Sequence, residues 1–471
     1  MTTDRRDAFL SVAAVVPAVI WYFVLARLLH HLPIASDFFH PTLLGQAFNS
    51  MAEYLLQGRF DVDPAAIEGE AFLVGDRTVA YFGIFCALLR LPFLAFPQLD
   101  IGWLSCLAAT GLGLWFQLRA LLLVRDSVPP SGKRDWLIVA VALCMVFGGQ
   151  QVQFLRPSLY QEVVNWADAL AMGFVFLAIK GLLRGFDTRT LIGMALFAGF
   201  ALLARVSFGL GLYAALGGVL LLHWRRMFWP GLVLAMFIVA TGIVNHGRWG
   251  SPFVFADFTK YALDQDVFPD RLVRLAAYGE FNPRRLGLGL SYYFVPIWTW
   301  VRTDGQLLFS EARERLIDAF ELPAGSFLLS DPLLLGLAFA LPSWSGLTRP
   351  PQAHWKELVR SSPTRTVWAL LIGLAIPPCL MLIAISMNYR YRVEFYPFLI
   401  LAALLGVRRL CLAPAAPFRR APLVAAVVLS IAVSHGMAAI YAVSPWGDAD
   451  QYIRNDGWIG TYAPRLHAGH D

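Results

Sequence analysis

Residues 8–29 read AFLSVAAVVPAVIWYFVLARLL, an apolar run whose single charge, Arg27, stands near its end. A helix that crosses the hydrocarbon core of a bilayer needs roughly 20 apolar residues, and this run has that length. Arg5 and Arg6 precede it, as charges precede the core of a signal peptide. The run is longer than the roughly 7–15 residues of a cleaved core, however, and it ends in Arg27, His30 and His31 instead of small residues. It reads as a retained anchor. Comparable runs at 191–204, 366–387 and 421–441 make the chain an all-α polytopic membrane protein.

Composition agrees. Of 471 residues, 58% are hydrophobic and 15% charged, whereas soluble domains stand near half and a quarter. Spanning helices are expected near 8–29, 100–124, 134–150, 164–184, 189–205, 207–223, 228–245, 327–346, 366–387, 393–410 and 421–441, about 11 in all. The apolar segment 80–97 is interrupted by Pro92 and Pro97 and contains Arg90, so it is expected to lie along the surface. With the N-terminus inside, the inner segments then hold 19 of the 38 Lys and Arg but only 6 of the 32 acids. Short inner loops rich in Lys and Arg are the orientation signal of membrane proteins. The layout implies a multi-pass protein of a bacterial inner or plasma membrane, its N-terminus cytoplasmic.

Within a single transmembrane domain spanning 1–471, three outer regions are large: 30–99, 246–326 and the tail 442–471. Loops on a rigid scaffold are where chemistry resides. The five cysteines, Cys86, Cys106, Cys144, Cys379 and Cys411, sit in apolar segments without a CxxC pair and read as small core residues. Basic residues scatter among membrane segments instead of forming a stripe, which argues against nucleic-acid binding. No phosphate-binding glycine loop, HExxH, GxSxG or zinc-type cluster occurs, so no metal or cofactor is implied.

Directly after the anchor comes SDFFHPTLLGQAFNSMAEYLLQGRFDVD (36–63). Leu44, Ala47, Phe48, Met51 and Leu55 fall on one helical face, with Gln46, Asn49, Ser50, Glu53 and Gln57 opposite. Pro41 suits the first turn and Gly58 the stop. Such a helix lies in the interface or packs on its neighbours. Asp37 stands where the first span meets the outer surface; it suits a general base or a helix cap. His40 adjoins it, in a position for interfacial hydrogen bonding.

In RPSLYQEVVNWADAL (156–170), Glu162 and Asp168 enter a spanning helix, where ionisable residues are functional candidates or are paired within the bundle, to Arg156 or Arg205. SMNYRYRVEFYPF (386–398) sets Arg390 and Arg392 among Tyr389 and Tyr391 at an outer turn. Arginine forks suit phosphate oxygens, and tyrosine faces suit a sugar; pairing with Glu394 or with lipid phosphates is the plain alternative. Arg205 interrupts two apolar runs at the same level, and Arg284 and Arg285 lie in the second outer loop beside YYFVPIW, a further surface helix. Together these arginines give an outer cavity the charge to hold a phosphate.

These stretches resemble the GT-C superfamily of integral-membrane glycosyltransferases. The resemblance is carried by AEYLLQGRFDVD (52–63), YFGIFCALLRLP (81–92, beginning at Tyr81), NHGRWGSPFVF (245–255) and NYRYRVEFYPFLILAALLG (388–406), in chain order. It implies a GT-C-like fold with amphipathic surface helices on the outer face. It also implies transfer of a hexosyl or pentosyl group from a polyprenyl-phosphate-linked donor to a glycan, lipid or protein acceptor. Asp37 would be the base, with Glu162 and Glu53 able to take the role. Arg390, Arg392, Arg205, Arg284, Tyr389, Tyr391, Tyr81 and His40 would bind substrate. Members of this kind mostly need no tightly bound metal. The competing classes are a transporter or flippase of lipid-linked saccharides, and an envelope scaffold.

Overall fold

The apolar runs become helices. The computed structural model of the chain describes residues 3–29, 41–96, 99–151, 157–296, 310–321, 323–340, 362–413 and 420–443. The chain opens with α1 (Thr3–Leu29). A layer of short elements follows: α2 (Ala47–Leu56), α3 (Pro64–Ile67), the hairpin β1 (Phe72–Val74) with β2 (Arg77–Val79), and α4 (Phe85–Arg90). Next come α5 (Gly102–Asp126), α6 (Gly132–Phe147), α7 (Leu159–Arg184), α8 (Thr188–Ala204), α9 (Val206–Leu222) and α10 (Phe228–Trp249). A second layer holds α11 (Ala262–Asp266), α12 (Pro269–Tyr278), α13 (Leu286–Phe294), α14 (Ser310–Leu316) and β3 (Ala319–Phe320). The chain then runs through α15 (Phe327–Ser330), α16 (Pro332–Phe339), α17 (Ser362–Leu382), β4 (Ser386–Met387) and a 3₁₀ segment, Tyr389–Phe395. Helices α18 (Tyr396–Leu412) and α19 (Arg420–Val443) complete the described chain.

Seven helices among the described residues are long and apolar enough to cross a membrane: α1, α5, α7, α10, α17, α18 with the 3₁₀ segment before it, and α19. Four of the eleven expected spans differ. Helices α8 and α9 are apolar but have 17 residues each, and α6 has 16. The continuous helix expected at 327–346 is broken: α15 ends at Ser330, Asp331 leaves helical angles, and Pro332 starts α16. Proline has no N–H for the helix ladder and its ring crowds the preceding turn. Residues 341–346 lie outside the described chain.

Asp7, at the start of α1, accepts a hydrogen bond from Arg125, at the end of α5, at 2.9 Å. Those two helices therefore run antiparallel, and the chain between them begins and ends at one face of the bundle. Among the described residues of segment 80–97 there are only the short α4 and a 3₁₀ turn, not a helix long enough to span. Packing between α9 and α17 is close because small residues line the contact. A Cβ on Gly373 would lie 2.2 Å from the Ala215 nitrogen, and one on Gly211 would lie 2.6 Å from the Pro377 ring. Close backbone approach of this kind is how apolar helices gain contact where water offers no driving force.

Helix α2 starts later than the sequence implied. Pro41 lies outside it, because Asp100 accepts from the Thr42 N–H at 2.5 Å and the Thr42 hydroxyl at 2.8 Å, while Leu44 takes a positive φ of 57°. Gly58, at φ 73°, ends the helix as expected. Its polar face is not free: Asn49 donates to the Leu99 carbonyl at 3.1 Å and the Ser50 hydroxyl accepts from the Asp63 N–H at 2.8 Å. Both are buried with the apolar stripe, and Glu53 is left exposed.

Candidate active site

Four residues singled out from the sequence, Tyr81, Arg205, Arg390 and Tyr391, come together where the bundle meets the loop layer. The Arg390 guanidinium lies over the Tyr160 ring, 4.2 Å from its centroid, and near that of Tyr391, at 5.4 Å. Arg205 lies over the Tyr391 ring, 4.9 Å from its centroid, and its Nε donates to Glu394 at 2.6 Å. Each contact joins a cation to the negative face of a ring. Tyr81 packs on Phe82 at 4.3 Å and on Phe72 at 5.5 Å. Burial, and then neighbouring Tyr391 and Glu70, push its hydroxyl pKa up, so Tyr81 stays a neutral donor.

Local sequence explains the placement. Arg205 has extended backbone angles (φ −151°, ψ 119°) between α8 and α9, which turns its side chain off the helix axis. Gly83 lets the chain entering α4 touch that junction: a Cβ there would sit 2.1 Å from the Leu203 carbonyl. Segment 389–395 is 3₁₀, with three residues per turn, so residues 391 and 394 share one row and 389 and 392 another. Tyr391 and Glu394 accordingly join the cluster, while Tyr389 and Arg392 turn away from it.

Arg392 is fully buried and donates to Asp331 at 2.5 Å and to the Ser330 hydroxyl. Gly149 makes room, since a Cβ there would meet both partners of the ion pair within 2.8 Å. Tyr389 packs beside Tyr441 at 5.3 Å, and its N–H donates to Glu321 at 2.8 Å. Glu162 is equally enclosed. Arg90, from α4, donates to it at 2.6 Å, and the Ser105 hydroxyl, from α5, donates to its other oxygen at 2.6 Å. Arg205 is not its partner, being paired with Glu394, and Arg156 lies outside the described residues. Asp168 accepts from Gln150 at 2.6 Å. Arg284 is exposed; its neighbour Arg285 is buried and donates to the carbonyls of Leu316, Gly279 and Glu280 at 2.8, 2.9 and 3.0 Å. Asp37 and His40 lie outside the described residues. The chain resumes beside the cluster, where the Leu43 carbonyl accepts from the Leu159 N–H at 3.1 Å, one residue before Tyr160.

Sequence reasoning missed Glu70, Tyr160 and Tyr261. The Tyr261 hydroxyl donates to Glu70 at 2.8 Å, and its ring stacks on Phe72 at 4.9 Å. Burial and the Glu70 charge push the Tyr261 pKa up. Tyr160 stood in the stretch that drew attention to Glu162, and its two-residue offset places it on a different side of the helix. Glu70 and Tyr261 come from two separate loops, and no local pattern joins them.

No protein-family model matches the sequence, and no curated protein matches it. Among solved structures, the chain is similar to the archaeal oligosaccharyltransferase AglB from Archaeoglobus fulgidus in complex with an inhibitory peptide and a dolichol-phosphate. Identity is 13% and the TM-score 0.43, over 93% of this chain and 57% of that one. The apo form of the Archaeoglobus fulgidus oligosaccharyltransferase gives 12%, a TM-score of 0.45, and the same two coverages, 93% and 57%. The form tethered to an acceptor peptide containing the NVT sequon gives 13% and 0.43, over 93% and 56%. All three are oligosaccharyltransferases. The chain spans little more than half the length of each.

Chemically, the cluster offers two guanidinium groups, a set of phenols and two carboxylates at one level. Tyr293 adds a buried hydroxyl that makes no hydrogen bond to the described residues; its ring lies 4.9 Å from that of Phe395. Guanidinium and phenol groups suit an anion with a polar ring beside it, because the cations take phosphate oxygens and the ring faces take apolar sugar edges.

Proposed function

We propose that the chain is a membrane glycosyltransferase that moves a sugar from a polyprenyl-phosphate-linked donor to a glycan, lipid or protein acceptor on the outer face. The observation that carries this reading is the meeting of Arg205, Arg390, Tyr81, Tyr160 and Tyr391 at the mouth of the helix bundle. Arg390 and Arg205 bind the donor phosphate and stabilise it as it leaves. The tyrosine faces hold the sugar. Asp37 takes the proton of the acceptor hydroxyl, whose oxygen attacks the anomeric carbon while the bond from that carbon to the lipid-phosphate oxygen breaks. Glu162 and Arg392, each closed in an ion pair, hold the scaffold. The basic inner loops support an outward-facing site.

A flippase of lipid-linked saccharides is the second reading, favoured by the helix broken at Asp331–Pro332, since interrupted helices mark substrate paths in transporters. The test is purified protein in detergent with a radiolabelled polyprenyl-phosphate sugar and a mixed acceptor pool, beside a vesicle assay of transbilayer movement. Sugar transfer lost in Arg390→Ala and in Asp37→Asn, with both proteins folded, supports the enzyme. Wild-type turnover in Asp37→Asn removes that residue as base. Transbilayer movement without transfer overturns the reading.

A further inference from the structure

Four buried acids among the described residues bear comparison around α7 and the segment leading into α18. Three have an arginine: Glu162 with Arg90 at 2.6 Å, Asp331 with Arg392 at 2.5 Å, and Glu394 with Arg205 at 2.6 Å. The fourth, Asp168 on α7, has no cationic partner among the described residues. Its Oδ2 accepts from the Gln150 amide at 2.6 Å, and the Gln150 oxygen accepts from the Gln117 amide at 2.9 Å. Asp168 Oδ1 and Gln117 Oε1 are buried and make no hydrogen bond.

Both residues line a cavity of ≈ 10 Å³ with Thr110, Gln150, Gln151 and Asn165, room for one particle of about water's size. A carboxylate enclosed without a counter-charge is costly in a low-dielectric interior. Beside the apolar Leu114 and Val393, its other neighbours here are carboxamides and a hydroxyl, the oxygen donors that hard cations take. One carboxylate among neutral oxygens balances a single positive charge; a divalent ion would leave an excess in an apolar bundle.

We propose that Asp168, Gln117, Thr110 and Gln151 form a site for one monovalent cation of sodium's class, set between α5, the chain after α6, and α7. Asp168 Oδ1 and Gln117 Oε1 supply the leading contacts. Asn165, turned about its terminal bond, adds its amide oxygen. The ion occupies the charge position that arginine fills beside the other three acids, and it ties α7 to α5 below Tyr160.

The test uses purified full-length protein in detergent and ²²Na⁺ equilibrium binding, with sodium replaced by N-methyl-D-glucamine at equal ionic strength. The expected result is saturable binding of one sodium per chain, lost in Asp168→Asn and at least tenfold weaker in Gln117→Leu. The wild-type melting temperature should rise with sodium and not with N-methyl-D-glucamine, and this response should vanish in Asp168→Asn. If Asp168→Asn fails to fold, the Gln117→Leu affinity decides. Absence of saturable sodium binding in the wild type, or unchanged affinity in Gln117→Leu, overturns the proposal. So does a melting temperature indifferent to sodium that follows pH through Asp168, which would mean that a proton fills the role. Neither readout depends on sugar transfer.

Discussion

The pair Arg90–Glu162 allows a quantitative test of how the loop layer is held to the bundle. Arg90 is 0% exposed and Glu162 1%, and their 2.6 Å contact is supplemented by the Ser105 hydroxyl. Removing one partner of a buried pair leaves the other charge uncompensated and costs about 3–5 kcal/mol. Arg90→Met and Glu162→Gln should each lose that much. The double variant carries no buried charge at the site. Because a buried pair is often replaceable by neutral groups at little net change, it should lie within about 1–2 kcal/mol of wild type. The expected coupling energy is at least about 4 kcal/mol, above the roughly 0.5–3 kcal/mol usual for residues in contact, because each single variant strands a buried charge. The measurement is unfolding in mixed micelles with increasing dodecyl sulfate, followed by tryptophan fluorescence, for all four proteins of the cycle. Additive losses, or single variants within about 0.5 kcal/mol of wild type, would refute the reasoning. Activity of the double variant answers a second point: retained sugar transfer makes Glu162 an anchor, and lost transfer with recovered stability makes it a reacting acid.

Three further outcomes follow from other sites. Asp264 on α11 is pushed up to about 6 by burial, with Arg271 at 3.4 Å opposing the shift. The folded state therefore holds this proton more tightly than the unfolded chain, so the stability it contributes is present at low pH and lost as pH rises from about 4 to about 6; Asp264→Asn should flatten that part of a melting-temperature profile. Gly373→Leu should destabilise by about 1–3 kcal/mol or prevent folding, since the Ala215 nitrogen blocks even a Cβ. Gly217→Ala on α9 meets open space and should be neutral or stabilising by up to about 1 kcal/mol in the same unfolding assay.

Much of the architecture was legible because hydrocarbon imposes length and polarity on helices so strictly. The break-up of 80–97 into short elements followed from its prolines, and Gly58 ended α2 where expected. The break at Asp331–Pro332 was also written in the sequence, as a proline preceded by an acid, but it was hidden inside an apolar run that suggested continuity. Pairing was harder. Arg390 and Arg392 stand two residues apart in one motif, yet one meets the tyrosine cluster and the other an ion pair with Asp331, because the segment is 3₁₀. Which acid each arginine finds depends on contacts spanning 61 residues for Arg392, 72 for Arg90 and 189 for Arg205. No local pattern encodes such distances.

Those spans have a consequence for how the protein is made. A chain synthesised from its N-terminus delivers Arg90 before the helix that carries Glu162, so the first loop layer cannot be latched until α7 has entered the membrane. Arg205 waits longer still, for Glu394 to arrive after α17. The tyrosine cluster is closed by segment 389–395, which follows α17 in the order of synthesis. Truncation between Arg205 and that segment leaves this arginine without the carboxylate of Glu394. Closure of the cluster therefore follows the insertion of α17, and it cannot precede the synthesis of Glu394.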